Sequence, residues 1–527
     1  MIKDKSQTPH LSMKPALLSV PILILIAGIV FVLQVNGAST DQLKAGVAKI
    51  NITNLEAGGV VKDSLYARTL VLDNGSTIAV IISVDDVGVG LFLDSVRLQL
   101  KKELNISPPN VLINASHLHT RRPMCRDIDK RIVRAVKTAW NTRVPVYIGA
   151  GSGYEDRIME NRRLKLTNGK EFTIRHANPL PPDEEIEGIG PVDPEIGILR
   201  LDRNNGKPLA VIYNFACHPY QDSWRSVNIG TTADFPGYAS KVIEENLGEN
   251  TIAMFLQGCG GNITTVLYKD VDNPRDAEPL GNMLGLSTLN ALKRISTRKN
   301  AELRVIHEII ELPRRTDLPQ RIESLQYEQE ELLKSLRGTS LSLKTFFPLY
   351  IKYNLSPGYP SYYSHRYLHE KITGKNDLEA LDAENRRNMD KYLRNIYAME
   401  KLARIQENMS VLKDQQKIME EVGKQPLKIE VAGIRIGDFL LVTFPGEAVV
   451  EIGLNIKRMS PHKYTFIAGY TNENGDADHA PMIEGNIGYA PTADQFKGED
   501  YEDACTSLAP EWQKIYEDKI MEILKKL

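Results

Sequence analysis

Ten histidines are spread along the 527 residues, and three of them stand where a ring could be both oriented and partly open to a ligand. His117, His119 and His218 each follow a short apolar run, whereas His10, His176, His307, His462 and His479 are isolated, the usual mark of a structural or exposed imidazole. In SHLH (116–119) the two rings share one side of an extended segment, because strand side chains alternate. Two imidazoles plus one carboxylate make the usual catalytic zinc set, with a position left open for water. Glu447 is the carboxylate candidate: it ends TFPGE (443–447), directly after an apolar strand pattern and a Pro-Gly turn, an odd place for a surface acid. Two rival metal patterns carry less. His365 and His369 have the i, i+4 spacing of one helix face, but no carboxylate or cysteine completes them, and a solvated helix is expected there. HEIIE (307–311) falls one residue short of HExxH and reads as a strand. The sequence holds no GxxxxGK[ST], no GxGxxG after a strand and no GxSxG elbow.

Strands must hold these side chains, and the patterning supplies them. From about residue 42 to 311, short Val- and Ile-rich runs such as TIAVIISV (77–84), NVLIN (110–114), AVIYNF (210–215) and TIAMFL (251–256) alternate with helical patterns at 127–141 and 236–247. Polar or special residues cluster just past the strand ends: Ser116-His117, Cys217-His218 and QGCGGN (257–262). In open α/β sheets that is where sites form. The character changes between about 316 and 424, where charged, Leu-containing stretches (320–336 and 376–422) flank an aromatic connector, 346–367, with Pro348, Pro357 and Pro360. This reads as a helical hairpin inserted into the catalytic unit. Strand pattern returns at 429–444 and an amphipathic helix closes the chain at 510–527. The expected fold class is α/β, a mixed-sheet catalytic domain interrupted by a helical hairpin insertion. The expected order along the chain is a signal peptide or anchor (1–38), an N-terminal catalytic segment (39–315), the insertion (316–425) and a C-terminal catalytic segment (426–527).

Composition narrows the function classes. Apolar residues at 42% and charged ones at 25% exclude a disordered or multi-span chain, and 65 Lys+Arg against 67 Asp+Glu leave a charge of -2, so no nucleic-acid partner is expected. Four cysteines cannot frame so long a chain; Cys125, Cys217, Cys259 and Cys505 either pair in one of three ways or include small buried thiols. ALLSVPILILIAGIVFVLQV (16–35) carries no charge, follows Lys3, Lys5 and Lys14, and precedes the small residues Gly37, Ala38 and Ser39. That predicts export: a secreted, periplasmic or membrane-anchored chain, touching the membrane through this segment if it is not cleaved.

With these residues in place, the chain resembles the neutral/alkaline non-lysosomal ceramidases, specifically their N-terminal catalytic domain and its bacterial relatives. The resemblance covers most of 43–295 and 429–502. It is carried by GVAKINIT (46–53), LYARTLVLD (65–73), ASHLH (115–119), NRR (161–163), VDPEIGILR (192–200), NFACHP (214–219), ADFPG (233–237), QGCGGN (257–262), PGE (445–447) and GYAPT (488–492), ten pieces in the family's order. It implies a Zn2+ cofactor held by His117, His218 and Glu447, with a tyrosine as further ligand. Tyr489 is the better match and Tyr470 competes, because residues 473–485 are inserted in that segment. His119 then faces substrate, and Arg162, ahead of Arg163, stabilises oxyanion charge. The substrate implied is a small-molecule or lipid N-acyl compound cleaved at its amide.

The departures bear on mechanism. Thr264 stands where the family has its serine nucleophile, two residues after Asn262; β-branching restricts its rotamer, so zinc-bound water is a rival nucleophile. Backbone donors of Gly260 and Gly261 are candidates for substrate binding. The family's HTHSGPG is HLHTRRP (117–123) here, and Arg121 and Arg122 suggest an anionic group on the substrate. The chain is expected to lack the C-terminal β-sandwich of true ceramidases, which puts ceramide itself in question. Two other functions compete: an inactive zinc-binding scaffold whose insertion meets an unknown protein partner, and a metal-dependent ester hydrolase acting on an anionic substrate.

Overall fold

The computed structural model describes residues 42–58, 60–90, 92–119, 125–175, 179–221, 230–248, 250–266, 276–300, 302–473, 487–497 and 501–527. The N-terminal apolar run, Arg121, Arg122 and nearly all of the insertion at 473–485 lie outside these residues. Residues Leu43–Leu527 form one compact unit.

Its main sheet, among the described residues, is built from β1 (Lys44–Asn51), β2 (Tyr66–Asp73), β3 (Ile78–Val84), β4 (Val111–Ala115), β5 (Val144–Tyr154), β6 (Glu195–Arg203), β7 (Pro208–Phe215) and β8 (Ile252–Gln257), in the order β8-β7-β6-β5-β1-β2-β3-β4. The pairs β3/β4 and β7/β8 are parallel and the others antiparallel, so the α/β mixed-sheet expectation holds. β2 and β3 are buried almost throughout because both their faces are covered. Helices α1 (Phe92–Leu104) and α2 (Ile128–Asn141) cover one end of the sheet, and α3 (Asp234–Leu247) and α4 (Ala277–Leu292) pack on the other. The two ends also meet: Ser83 Oγ donates to the Phe255 carbonyl at 2.6 Å, and the Gln257 amide donates to Asn114 Oδ1 at 2.9 Å.

A second sheet comprises β9 (Leu303–Leu312), β10 (Leu427–Ile436), β11 (Phe439–Thr443) and β12 (Tyr464–Ala468), in that order. Leu70, Ile81, Leu199 and Ile212 of the main sheet share one core with Ile434, Leu441 and Phe466 of the second. β9 contains His307, as its alternating pattern predicts, and pairs along its whole length with β10, ending at Leu312 and Leu427. The helical arm leaves and returns at that end, as α5 (Leu318–Ser335), α6 (Leu343–Leu355), α7 (Ser364–Ile372) and α8 (Asp377–Val422). The connector expected at 346–367 is thus largely helical. A capping box of Ser342 and Thr345 starts α6, and Phe346 and Tyr353, seven residues apart on one face, pack on Met389. Helix α9 (Val450–Met459) follows β11, and α10 (Trp512–Lys526) closes the core of the second sheet.

Arg97 of α1 locks the sheets together by gripping Glu430 of β10 through two contacts of 2.7 and 2.5 Å. Burial would raise the Glu430 carboxyl, but the Arg97 hydrogen bonds and charge, with His307, bring it from an ordinary 4.5 down to about 2. A carboxylate held that low stabilises the fold fully above its unfolded value and ceases to do so as pH falls through its folded one. From about pH 4.5 down to 2, the wild type is expected to lose ~3 kcal/mol that Glu430→Gln does not lose. Urea denaturation across that window checks it; parallel pH profiles for the two proteins would overturn it.

Candidate metal centre and hydrolytic site

Five strand ends converge on one place. Past β4, Ala115 donates its amide to Tyr470 O at 3.1 Å, and Asn472 donates to Ile113 O at 2.8 Å, so the segment after β12 lies along β4. Past β7 and β8, Gly258 donates to Phe215 O at 2.9 Å. Past β11, Tyr470 donates to Gly446 O at 3.2 Å and Glu447 to Gly488 O at 2.8 Å. Two buried asparagines stitch these ends together. Asn114 Nδ2 donates to Gly469 O at 2.6 Å and Thr471 Oγ1 at 2.9 Å, and Asn214 Nδ2 donates to Leu256 O at 3.0 Å and Ile467 O at 2.9 Å. Both interrupt otherwise apolar strands, which is the one sequence signal that marks them.

The backbone at the centre takes a conformation that side chains other than glycine rarely adopt: φ is 61° at His117, 50° at Tyr470 and 57° at Asn472. Strain of this kind persists only where surrounding bonds over-determine it, and it clusters at functional sites. Here it turns both rings inward, and His117 stacks on Tyr470 at 3.9 Å between ring centres.

His117, His119 and His218 form a cluster whose ligand atoms all lie within 4.8 Å of one another. His117 Nδ1 donates to Val87 O at 2.7 Å and His218 Nδ1 faces Gly260 O at 3.4 Å, which fixes the protonated nitrogen on the backbone side and leaves Nε2 pointing inward. His119 Nε2 stands 2.8 Å from His218 Nε2, two ring nitrogens that a proton or a cation must mediate. Burial lowers the pKa of His119 and His218 well below the ordinary value, and the charges of His117 and Arg162 lower it further, so both rings are neutral near pH 7. Neutral imidazoles with inward lone pairs are the form a metal ion binds, and the three histidines could hold one. Glu447 Oε2 joins them, 3.5 Å from His117 Nε2 and 3.4 Å from the Tyr470 hydroxyl. His119, expected on the substrate side, is thus part of the cluster's inner wall, and Tyr220 backs it edge-on at 4.6 Å.

The tyrosines divide differently from the expectation. Tyr470 faces Glu447 and His117, whereas Tyr489 accepts from Arg162 Nη2 at 3.0 Å. Tyr489 pairs in parallel register with Glu447 in a two-residue bridge, and its ring lies 5.5 Å from the Arg162 guanidinium. Burial raises the Tyr489 pKa well above its ordinary value despite Arg162, so its hydroxyl keeps a proton to donate. Arg162 is itself anchored, Nε on Glu502 at 2.9 Å and Nη2 on Gly261 O at 2.7 Å. Arg163, its neighbour in the chain, donates to Glu171 at 2.7 Å and to the other Glu502 oxygen at 3.3 Å.

Thr264 lies in the short strand Ile263–Thr265, which pairs with Met159–Asn161 just ahead of Arg162. Its hydroxyl is buried and has no hydrogen-bond partner among the described residues. Gly261 does not offer the free amide donor expected of it. The Gly261 amide is used by Ala448 O at 3.0 Å, and a Cβ there would stand 2.6 Å from Glu447 O. At Gly260 a Cβ would stand 2.6 Å from Gln257 Nε2. Both are glycine so that the loop can lie directly against its neighbours.

His365 and His369 are exposed on α7, as expected, and all four cysteines are free, Cys217 and Cys259 fully buried.

No protein-family model matches the chain, and no curated protein matches it. Among solved structures, neutral ceramidase from Pseudomonas aeruginosa matches with a TM-score of 0.57 at 16% identity, over 92% of this chain and 75% of that one. A ceramidase complexed with C2 matches at the same TM-score and 17% identity, again over 92% and 75%. At such identity the likeness is one of fold, and the fold is that of these ceramidases.

Proposed function

We propose that the chain is a zinc-dependent hydrolase of an N-acyl amide, built on the ceramidase fold and acting outside the cytoplasm. The single observation that carries this reading is the cluster of three inward-facing imidazoles with Glu447 beside them, at the strand ends of that fold. His117, His218 and Glu447 hold the ion, and Tyr470 takes the tyrosine position in place of Tyr489. A zinc ion there supplies Lewis-acid polarisation of the scissile carbonyl. Tyr489, oriented by Arg162, donates its proton in a hydrogen bond to the developing oxyanion. Thr264 Oγ attacks the carbonyl carbon and His119 takes its proton. As the C–N bond breaks, His119 returns that proton to the departing amine, leaving an acyl ester on Thr264. Water then cleaves the ester, freeing the acid and restoring the hydroxyl. Export belongs to the same reading, supported by the uncharged run at 16–35. So does an anionic group on the substrate, supported by Arg121 and Arg122 next to His119 in the chain.

The test is a panel of N-acyl compounds, ceramide and N-acyl amino acids among them, with matching carboxylate and phosphate esters. One or more amides are expected to be hydrolysed, with loss of turnover on chelation and recovery on adding zinc. Full turnover in metal-free protein sinks the zinc assignment, and turnover of esters alone sinks the amidase.

A further inference from the structure

The arm ends in a surface that the catalytic reading does not use. Along α6, α7 and the turn between them, Phe347, Tyr350, Ile351, Leu355, Tyr363 and Ile372 all point outward, with Leu355 at 81%, Tyr363 at 76% and Ile372 at 85% exposure. Scattered single apolar residues are ordinary on a protein surface, but so many within one short stretch are not. The stretch is also basic: residues 341–375 carry Lys344, Lys352, Arg366, Lys371 and Lys375 against one acid, Glu370. None of the five cations is within ion-pair distance of a carboxylate among the described residues.

This tip has a fixed shape. Tyr353 and Tyr367 donate to the two oxygens of the buried Asp382 of α8 at 2.7 and 2.5 Å, and Ser361 donates to the first. Phe346 stacks on Tyr392 at 4.6 Å. The inward aromatics therefore clamp the tip onto α8, and the outward ones are held out by that clamp. Helix α8, with 46 residues, is about 69 Å long and carries the tip at its N-terminal end. Farther along α8, Arg175 pairs with Glu407 at 3.2 Å and stacks on Tyr501, which meets Tyr489 edge-on at 5.6 Å.

We propose that the arm tip docks on an anionic lipid surface. Tyrosines with Leu, Ile and Phe suit the headgroup boundary, where one end of a ring is apolar and the other wet. The four lysines and Arg366 beside them, in no ion pair among the described residues, are attracted by acidic headgroups, and the charge selects a lipid face over a neutral protein one. Among the described residues no helix is long and apolar enough to cross a membrane, so the contact is peripheral. It is separate from any contact made by residues 16–35 and does not depend on the amidase reading.

The test introduces a reporter at the tip, Leu355→Trp in the full chain, and a control on the body, Ile309→Trp, at a residue 65% exposed. Vesicles are phosphatidylcholine alone or mixed equally with phosphatidylglycerol, with brominated acyl chains that quench a tryptophan inserted among them. Excess quenching over the parent chain is expected for Leu355→Trp in the anionic vesicles and for neither protein in the neutral ones. The combined Lys344→Glu, Lys352→Glu and Arg366→Glu variant is expected to lower that affinity at least about tenfold. Equal quenching at both positions, or none at the tip, overturns the proposal. So does a dimer in solution that Leu355→Asp and Ile372→Asp dissolve while vesicles leave the tip unquenched, because the occupant would then be a second copy of the chain.

Discussion

His117→Ala is expected to leave the purified chain without bound metal and to lower amide turnover about a thousandfold or more. The magnitude follows from what the metal would supply, several kcal/mol of transition-state stabilisation, or about three powers of ten in rate. The residue is well chosen for the purpose because its ring sets Nδ1 on Val87 O, Nε2 toward Glu447 and its face on Tyr470, besides meeting His119 and His218 edge-on. Alanine removes all of these contacts and still has to adopt a φ of 61°, so some loss of stability accompanies the change. His119→Ala is the companion that makes the result specific. If His119 works as the proton carrier, that variant keeps its metal and loses turnover; if it loses metal as His117→Ala does, the ligand set is the imidazole triad. Metal analysis beside single-turnover kinetics reads both. A His117→Ala protein that retains both its metal and its rate would end the assignment.

Much of this site was legible because strand ends are visible in a sequence. An apolar run that stops at Ser116-His117 or Cys217-His218, or turns at Pro445-Gly446 into an acid, announces a polar residue that the fold holds in place, and the structure brings those three positions together. What stayed hidden depends on backbone geometry. Choosing between Tyr470 and Tyr489 needs to know which hydroxyl meets Glu447 and which meets Arg162, and spacing reports neither. The destination of the Gly261 amide is likewise a matter of which loop lies alongside, Glu447-Ala448 in this case. Asn114 and Asn214 were visible as polar interruptions, but their bonds reach strands far along the chain. In the arm, three prolines and many aromatics suggested a connector, and tertiary packing on Met389 and Asp382 overrode that local preference with two helices.

Thr264→Val is expected to move stability and activity in opposite directions. A buried hydroxyl with no hydrogen-bond partner costs the fold about 1–3 kcal/mol relative to a satisfied one, and Thr264 Oγ1 has none among the described residues. Valine keeps the β-branched shape and so fits the same rotamer on the short strand beside Met159–Asn161. Removing the unsatisfied oxygen should therefore leave the fold as stable as before or about 1 kcal/mol more so, measured by urea denaturation. Turnover should nonetheless fall about ten-thousandfold, because the group lost is the one that attacks. Thr264→Ser retains the nucleophile with a freer rotamer and should keep most of the activity. The combination is informative because a merely structural threonine predicts another pattern, with lost stability and a modest change in rate. Water as the attacking species predicts a third, with unchanged stability and turnover within about tenfold of wild type. A buried hydroxyl that no described residue engages, and whose removal leaves the fold intact while turnover collapses, is one available for a substrate carbon.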